Sequence, residues 1–211
     1  MATEKDDILC MTREELTDLM RSLGEKPFRA KQIWDWLHIH HALRFDEMTN
    51  LSAQLRKKLD EQCEITSPEV VRVLTSKLDG TQKFLFALAD GNVVESVLMR
   101  YSYGISVCIS SQVGCRMGCR FCASTIGGKV RDLTASEMLG QVIGIASRTG
   151  ERVSHVVIMG SGEPLDNYNE LVRFLRTIGD PDGERLSLRD ITVSTCGIVP
   201  RILALAEEKL P

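Results

Sequence analysis

No run of apolar residues in this 211-residue chain approaches the ~20 that a membrane-spanning helix needs. The opening MATEKDDILC is charged and has no apolar h-region, so a secretory leader is not expected. Positive charge is not in excess. The net charge is −3, and residues 1–66 hold 10 Lys and Arg against 13 Asp and Glu. Bulk charge therefore gives no sign of nucleic-acid binding, which would need a local basic patch. Internal repeats and low-complexity tracts are missing as well, which excludes repeat arrays and tail-like segments. What remains is ordinary globular composition, 43% hydrophobic and 26% charged, enough for one sizeable core or two small ones. A cytoplasmic location is expected, and thiols stay reduced there. The seven cysteines, an odd number, then point to metal or chemistry rather than to disulfides.

The chain divides into three parts. Residues 1–66 form a helical accessory domain. MTREELTDLM opens with Thr12 and Glu15 at capping-box spacing, and KPFRAKQIWDWLHIHH repeats Phe28, Ile33, Trp34 and Leu37 at helical intervals. LSAQLRKKLDEQ sets Leu55 and Leu59 one turn apart behind a Ser52 cap. Residues 67–103 are rich in β-formers and broken by Asp79-Gly80 and Asp90-Gly91, which predicts a three-stranded antiparallel ribbon. Residues 104–211 alternate strands (GISVCISS, VSHVVIMG, DITVST) with helices (TASEMLGQVIGIASR, NYNELVRFLRTIG, VPRILALAEEKL). That alternation predicts an α/β fold with about three parallel βα units. Three units cannot close a barrel, and an open sheet has an exposed edge. The chain therefore reads as the N-terminal part of a longer one.

VCISSQVGCRMGCRFCAST places Cys115, Cys119 and Cys122 at C-x3-C-x2-C spacing, on the loop after the first of these strands. Ligands of α/β folds gather at the carboxyl ends of strands. Three thiolates on one glycine-bearing loop suit three corners of an iron–sulfur cube with the fourth iron open. A zinc site completed by His155 or Cys108 is the alternative. Glu95 shares a strand face with Val93, Val97 and Met99, where an acid needs a partner or a task. HIHH, with His38, His40 and His41, tempts a metal reading, but a solvated surface is the expectation. Lys26, Arg29, Lys31, Arg56, Lys57 and Lys58 offer either a local RNA-contact patch or a solvated charged face.

C-x3-C-x2-C on the first βα loop is the signature of radical S-adenosylmethionine enzymes. CISSQVGCRMGCRFCAST, RDLTASEMLGQV, VIMGSGEPLDNY and STCGIVP together resemble the RlmN family of dual-specificity RNA methyltransferases and its relative, the Cfr antibiotic-resistance methyltransferase. FRAKQIWDWLH and FDEMTNLSAQLRKKL resemble that family's accessory domain. The likeness extends over nearly the whole chain, and implies that residues 104–211 are the N-terminal part of a radical-SAM (βα) barrel.

By that resemblance, Cys115, Cys119 and Cys122 ligate a [4Fe-4S] cluster whose open iron chelates S-adenosylmethionine. Gly162 and Glu163, in GSGEP, and Ser194, in STCG, contact the cofactor. Glu95 matches the family's proton acceptor. Cys108 matches a resolving thiol that forms a disulfide with a methyl-carrying cysteine. That methyl-cysteine lies downstream in the family, and none of the seven cysteines here matches it. Cys196 replaces the more usual small residue and is given no role. The implied reaction methylates C2 of adenosine in 23S rRNA and in tRNA through a methyl-cysteine and a 5′-deoxyadenosyl radical. Its partners are those RNAs and a reductant such as flavodoxin or ferredoxin, with no membrane and a monomeric state. A Cfr-type reaction at adenine C8 uses the same motifs, and a non-catalytic zinc- or RNA-binding fragment is the alternative of another class.

Overall fold

A computed structural model describes residues 5–211; the first four residues of the charged opening stretch lie outside the described part. In chain order the elements are β1 (Asp6–Asp7), α1 (Arg13–Ser22), α2 (Arg29–His38), α3 (Ala53–Gln62), β2 (Cys63–Glu64), β3 (Glu69–Thr75), β4 (Gln82–Ala87), β5 (Val93–Tyr101), β6 (Gly104–Ile109), β7 (Gln112–Gly114), β8 (Lys129–Asp132), α4 (Ala135–Thr149), β9 (His155–Ile158), α5 (Tyr168–Ile178), β10 (Ile191–Val193) and α6 (Val199–Glu207). The caps read from sequence are formed. Thr12 with Glu15 and Thr134 with Glu137 make full capping boxes, and the Ser52 hydroxyl accepts from Leu55 N. Pro200 stands in the first turn of α6.

The ribbon strands continue into the parallel strands. β3, β4 and β5 pair antiparallel, β5 pairs antiparallel with β6, and β6, β9 and β10 run parallel. One six-stranded sheet of order β10-β9-β6-β5-β4-β3 results. Both Asp-Gly steps are the expected turns. Gly80 and Gly91 have φ +72° and +83°, and Asp79 and Asp90 accept from the amides two residues on. On one sheet face Phe84, Phe86, Val94, Leu98, Val107, Ile109, Val156 and Ile158 are buried, against α4, which in turn packs on α5. The opposite face carries Lys83, Leu85, Glu95, Val97 and Cys108, all partly exposed.

The helical module packs into the same continuous apolar cluster as the sheet domain, from Leu16, Ile33 and Leu55 to Phe84 and Phe174. Polar ties fix the junction. The Arg173 guanidinium forks onto Glu15 at 2.8 and 3.0 Å, Trp34 Nε1 donates to Asp182 O at 3.1 Å, and Arg13 pairs with Asp180 at 3.2 Å.

HIHH is the main departure from expectation. His38 is not solvated; it is 1% exposed, its ring 4.1 Å from that of Trp34, and neither ring nitrogen has a hydrogen-bond partner. Helical periodicity explains this, since His38 falls one turn after Trp34 on the buried face of α2. His41 is half-buried and pairs with Glu184 at 2.9 Å. Burial, helped by nearby His41, pushes the His38 imidazole down to about 3 from an ordinary 6.5. The sign follows. The unfolded chain takes up a proton near pH 6.5 while the folded chain resists, so stability falls as pH drops from about 6.5 toward about 3. His38→Phe is expected to keep the ring contact, remove two unpartnered nitrogens and flatten that part of the pH–stability curve; urea unfolding at pH 7.5, 6 and 5 measures it.

Candidate active site

The sheet's carboxyl edge is where β6, β9 and β10 end, and each is followed by a chemically distinctive turn. After β6 the chain runs through Ser110 and Ser111 into the short strand β7, then the cysteine loop, then β8. Sequence reading treated this stretch as plain loop. In fact β7 and β8 pair antiparallel and close its base, with Cys115 N donating to Gly128 O at 3.1 Å. Gly114 makes the closure feasible: a Cβ there would stand 1.9 Å from Gly128 O. Within the loop Cys122 N donates to Cys119 O at 3.0 Å and the Thr125 hydroxyl to Cys122 O at 2.9 Å. Cys115 is buried, Cys119 and Cys122 half-buried, and Phe121 is 94% exposed.

After β9, Gly160 N donates to Ile109 O at 2.9 Å, and Ser161 O accepts from Ser111 N and Gln112 N at 2.9 and 3.1 Å. The Gly-Glu turn is thus laid along the entrance of the cysteine loop. Gly162 has φ +108°, and a Cβ on it would meet Gln112 Cβ at 2.6 Å and Gln112 N at 2.7 Å. Glu163 is 3% exposed. Its carboxylate is turned inward, one oxygen accepting from Leu165 N at 2.9 Å and the other from Cys196 N at 2.7 Å. After β10, Ser194 N donates to Ile158 O at 3.2 Å. Glu163 therefore ties the second turn to the third.

Cys196, assigned nothing from sequence, lies at this junction. Its thiol is pushed up to about 11, first by burial, then by its hydrogen bond to Glu163, with the Cys119 and Cys115 thiols near enough to add to the effect. No three His, Cys, Asp or Glu side chains among the described residues stand at metal-holding separation. The three loop cysteines share one loop, are free thiols and are flanked by residues that leave space, since Cβ atoms on Gly118, Gly127 and Gly128 would meet nothing within 4 Å. As donors and as a cradle they fit an iron–sulfur cluster. His155, the candidate fourth zinc ligand, sits at the opening end of β9, away from the loop, and bonds the Ser154 hydroxyl at 3.0 Å.

Glu95 and Cys108 share the open sheet face. Val97 stands opposite Cys108 in the β5–β6 ladder, and Glu95 is two residues further toward the carboxyl edge. The Ser110 hydroxyl donates to Glu95 O at 2.7 Å. The Glu95 carboxylate is 44% exposed and pairs with Lys83 at 2.8 Å, a partner that sequence reading did not supply. The Cys108 thiol is pushed up, mainly by burial, with Glu95 adding to it. All seven cysteines are free, and the disulfide that the resemblance implies for Cys108 has no partner among them.

The basic residues of the helical module are largely engaged at home. Lys31 pairs with Asp35, Lys57 with Glu61 and Lys58 with Glu25, while Arg56 donates to Asp46 O and Arg29 to Gln32. No described helix is long and apolar enough to cross a membrane.

Residues 109–210, which hold all three turns, match the Radical SAM superfamily model. Residues 6–65, the helical module, match the model described as the ribosomal RNA large subunit methyltransferase N-terminal domain. The two in tandem mark a radical SAM protein with a ribosomal-RNA methyltransferase accessory domain. Over nearly its whole length the chain is similar to proteins of the RlmN family. It is 59% identical over 206 residues to a "Probable dual-specificity RNA methyltransferase RlmN" of Lachnoclostridium phytofermentans, covering 98% of this chain and 58% of that protein. It is 60% identical over 204 residues to the protein of the same name in Lachnospira eligens, covering 97% of this chain and 58% of that one. A crystal structure of a radical SAM methyltransferase from Sphaerobacter thermophilus superposes with a TM-score of 0.91 at 39% identity, over 97% of this chain and 61% of that one. The chain thus spans about three-fifths of the length of these relatives.

Gly162→Ala combines a disfavoured φ with a collision against backbone, and is expected to cost ~3 kcal/mol or more. Gly118→Ala, at φ +71° in open space, is expected to cost only ~1 kcal/mol. Chemical denaturation of the two variants measures the ranking.

Proposed function

We propose that this chain provides the accessory domain and the N-terminal part of the catalytic domain of a radical S-adenosylmethionine methyltransferase acting on C2 of adenosine in 23S rRNA and in tRNA. The observation that carries the reading is the junction at the sheet edge, where the cysteine loop, the Gly-Glu turn and the serine turn are joined by hydrogen bonds through Gln112 and Glu163. The names of the curated relatives favour the RlmN reaction over the Cfr-type reaction at C8.

When bound, a [4Fe-4S] cluster with S-adenosylmethionine supplies one-electron chemistry and a methyl group. Cys115, Cys119 and Cys122 would hold three irons. Gly162 lets the cofactor approach backbone, and Ser194 adds a hydroxyl at the next strand end. The carboxylate of Glu163, bonded to Leu165 N and Cys196 N, organises the two turns at the cofactor site. Glu95 is the base that takes the C2 proton, kept in place by Lys83 at 2.8 Å. Its half-exposure suits a group that must meet a large substrate. Cys108, with its raised pKa, stays a protonated thiol at neutral pH until a partner sulfur arrives. The RNA substrates, a flavodoxin- or ferredoxin-type reductant, a cytoplasmic location and a monomeric state belong to the same reading, as does a (βα) barrel of which these βα units are a part.

Anaerobic reconstitution is expected to give a brown protein with about four irons and four sulfides per chain. A colourless protein with one zinc would overturn the reading. In the full-length protein, Glu95→Gln is expected to lower formation of 2-methyladenosine ~100-fold or more, measured by mass spectrometry of nucleosides.

A further inference from the structure

Asp166 lies just before α5 with its side chain 7% exposed; it falls within VIMGSGEPLDNY but has been given no role so far. Its carboxylate holds three partners. Arg116, the residue after Cys115, pairs with one oxygen. Lys129, where the cysteine loop re-enters β8, pairs with the other at 2.9 Å. Gln112 Nε2 donates to that same oxygen at 3.0 Å. One buried carboxylate thus grips both legs of the cysteine loop. Gln112 carries the connection onward, because its Oε1 accepts from Glu163 N at 2.9 Å. Asp132 completes the assembly, accepting from Gln112 at 2.7 Å and from Lys129.

Burying a carboxylate is costly unless it is fully partnered, and the same loop legs could be joined more cheaply by apolar contacts. What the charged arrangement adds is direction. Fixed hydrogen bonds set a distance between two segments more narrowly than apolar packing does. We propose that Asp166 is a positioning residue: through Arg116, Lys129 and Gln112 it sets the cysteine loop at a fixed spacing from the Gly162–Glu163 turn. The inference rests on the reading of those two segments as cluster and cofactor sites. A cluster and the molecule bound to it must meet at one atom, so the spacing between their cradles matters directly. The three hydrogen bonds outweigh the upward push of burial and keep Asp166 down at about 2, so the latch is charged at all physiological pH values.

The test begins on metal-free protein, by hydrogen exchange. Asp166→Asn is expected to speed exchange of the Cys115 and Glu163 amides together by tenfold or more, while β9 amides are unchanged. Arg116→Gln, altering a side chain that is 64% exposed, is expected to raise the Cys115 amide rate alone, about threefold. Unchanged rates in both variants, or an equal rise in β9, would overturn the proposal. In iron-loaded protein the change that S-adenosylmethionine causes in the electron paramagnetic resonance spectrum of the reduced cluster is expected to need tenfold more cofactor in Asp166→Asn. A wild-type chain that takes up no iron would instead count against the cluster reading, which the exchange data leave separate.

Discussion

The side-chain amide of Gln141 decides where β6 stops. It is fully buried inside α4, and all of its hydrogen-bonding capacity is used. The oxygen accepts from Ser110 N at 2.9 Å and from the Ser96 hydroxyl at 2.7 Å; the nitrogen donates to Ser110 O and Glu137 O, each at 3.1 Å. Both backbone groups of Ser110 are thereby taken out of the ladder, one residue past the end of the strand. The Ser110 hydroxyl then donates to Glu95 O and accepts from Ser161 N, so three strands are referenced to a single residue. Without the amide, two buried main-chain groups would be left unpaired, at ~1–3 kcal/mol each, and the cysteine loop would lose its origin.

The same device recurs around the edge. Asn167 Nδ2 donates to Ser111 O at 2.9 Å and Leu133 O at 2.7 Å, and Gln112 joins Asp132, Asp166 and Glu163. Amides both donate and accept, so one buried side chain can pin two backbone segments without the desolvation cost of a charge. The helix that carries Gln141 is itself held rigidly, with Thr134 and Glu137 forming its cap and Arg131 forked onto Glu137 at 2.7 Å. The three clustered cysteines, Gly162 and Ser194 stand on loops, while the loops hang from regular structure.

Much of this was legible in the sequence because it depends on local rules. Capping boxes, Asp-Gly turns and the alternation of β-branched strands with amphipathic helices are short-range signals, and each produced its element. The three edge motifs were readable because their glycines and cysteines have few other uses at such spacing. Long-range facts were not readable. The pairing of β7 with β8 joins residues on either side of the cysteine loop, and the continuity of ribbon and parallel sheet depends on β5 meeting β6. His38 was misplaced because three histidines within four residues looked polar, while its burial follows from packing against Trp34 and Gly183. Glu163 was placed in the right turn, but its inward orientation depends on the amides of Leu165 and Cys196, the latter far along the chain.

The closed base of the cysteine loop has a thermodynamic consequence for assembly. The segment between β7 and β8 runs from Cys115 to Gly128, and bringing the ends of a flexible stretch of that size together costs on the order of 2 kcal/mol. Here main-chain hydrogen bonds have already met that cost. The loop therefore carries its own closure: its two ends keep their spacing through the β7–β8 ladder, and only the tip is left to be ordered by other contacts.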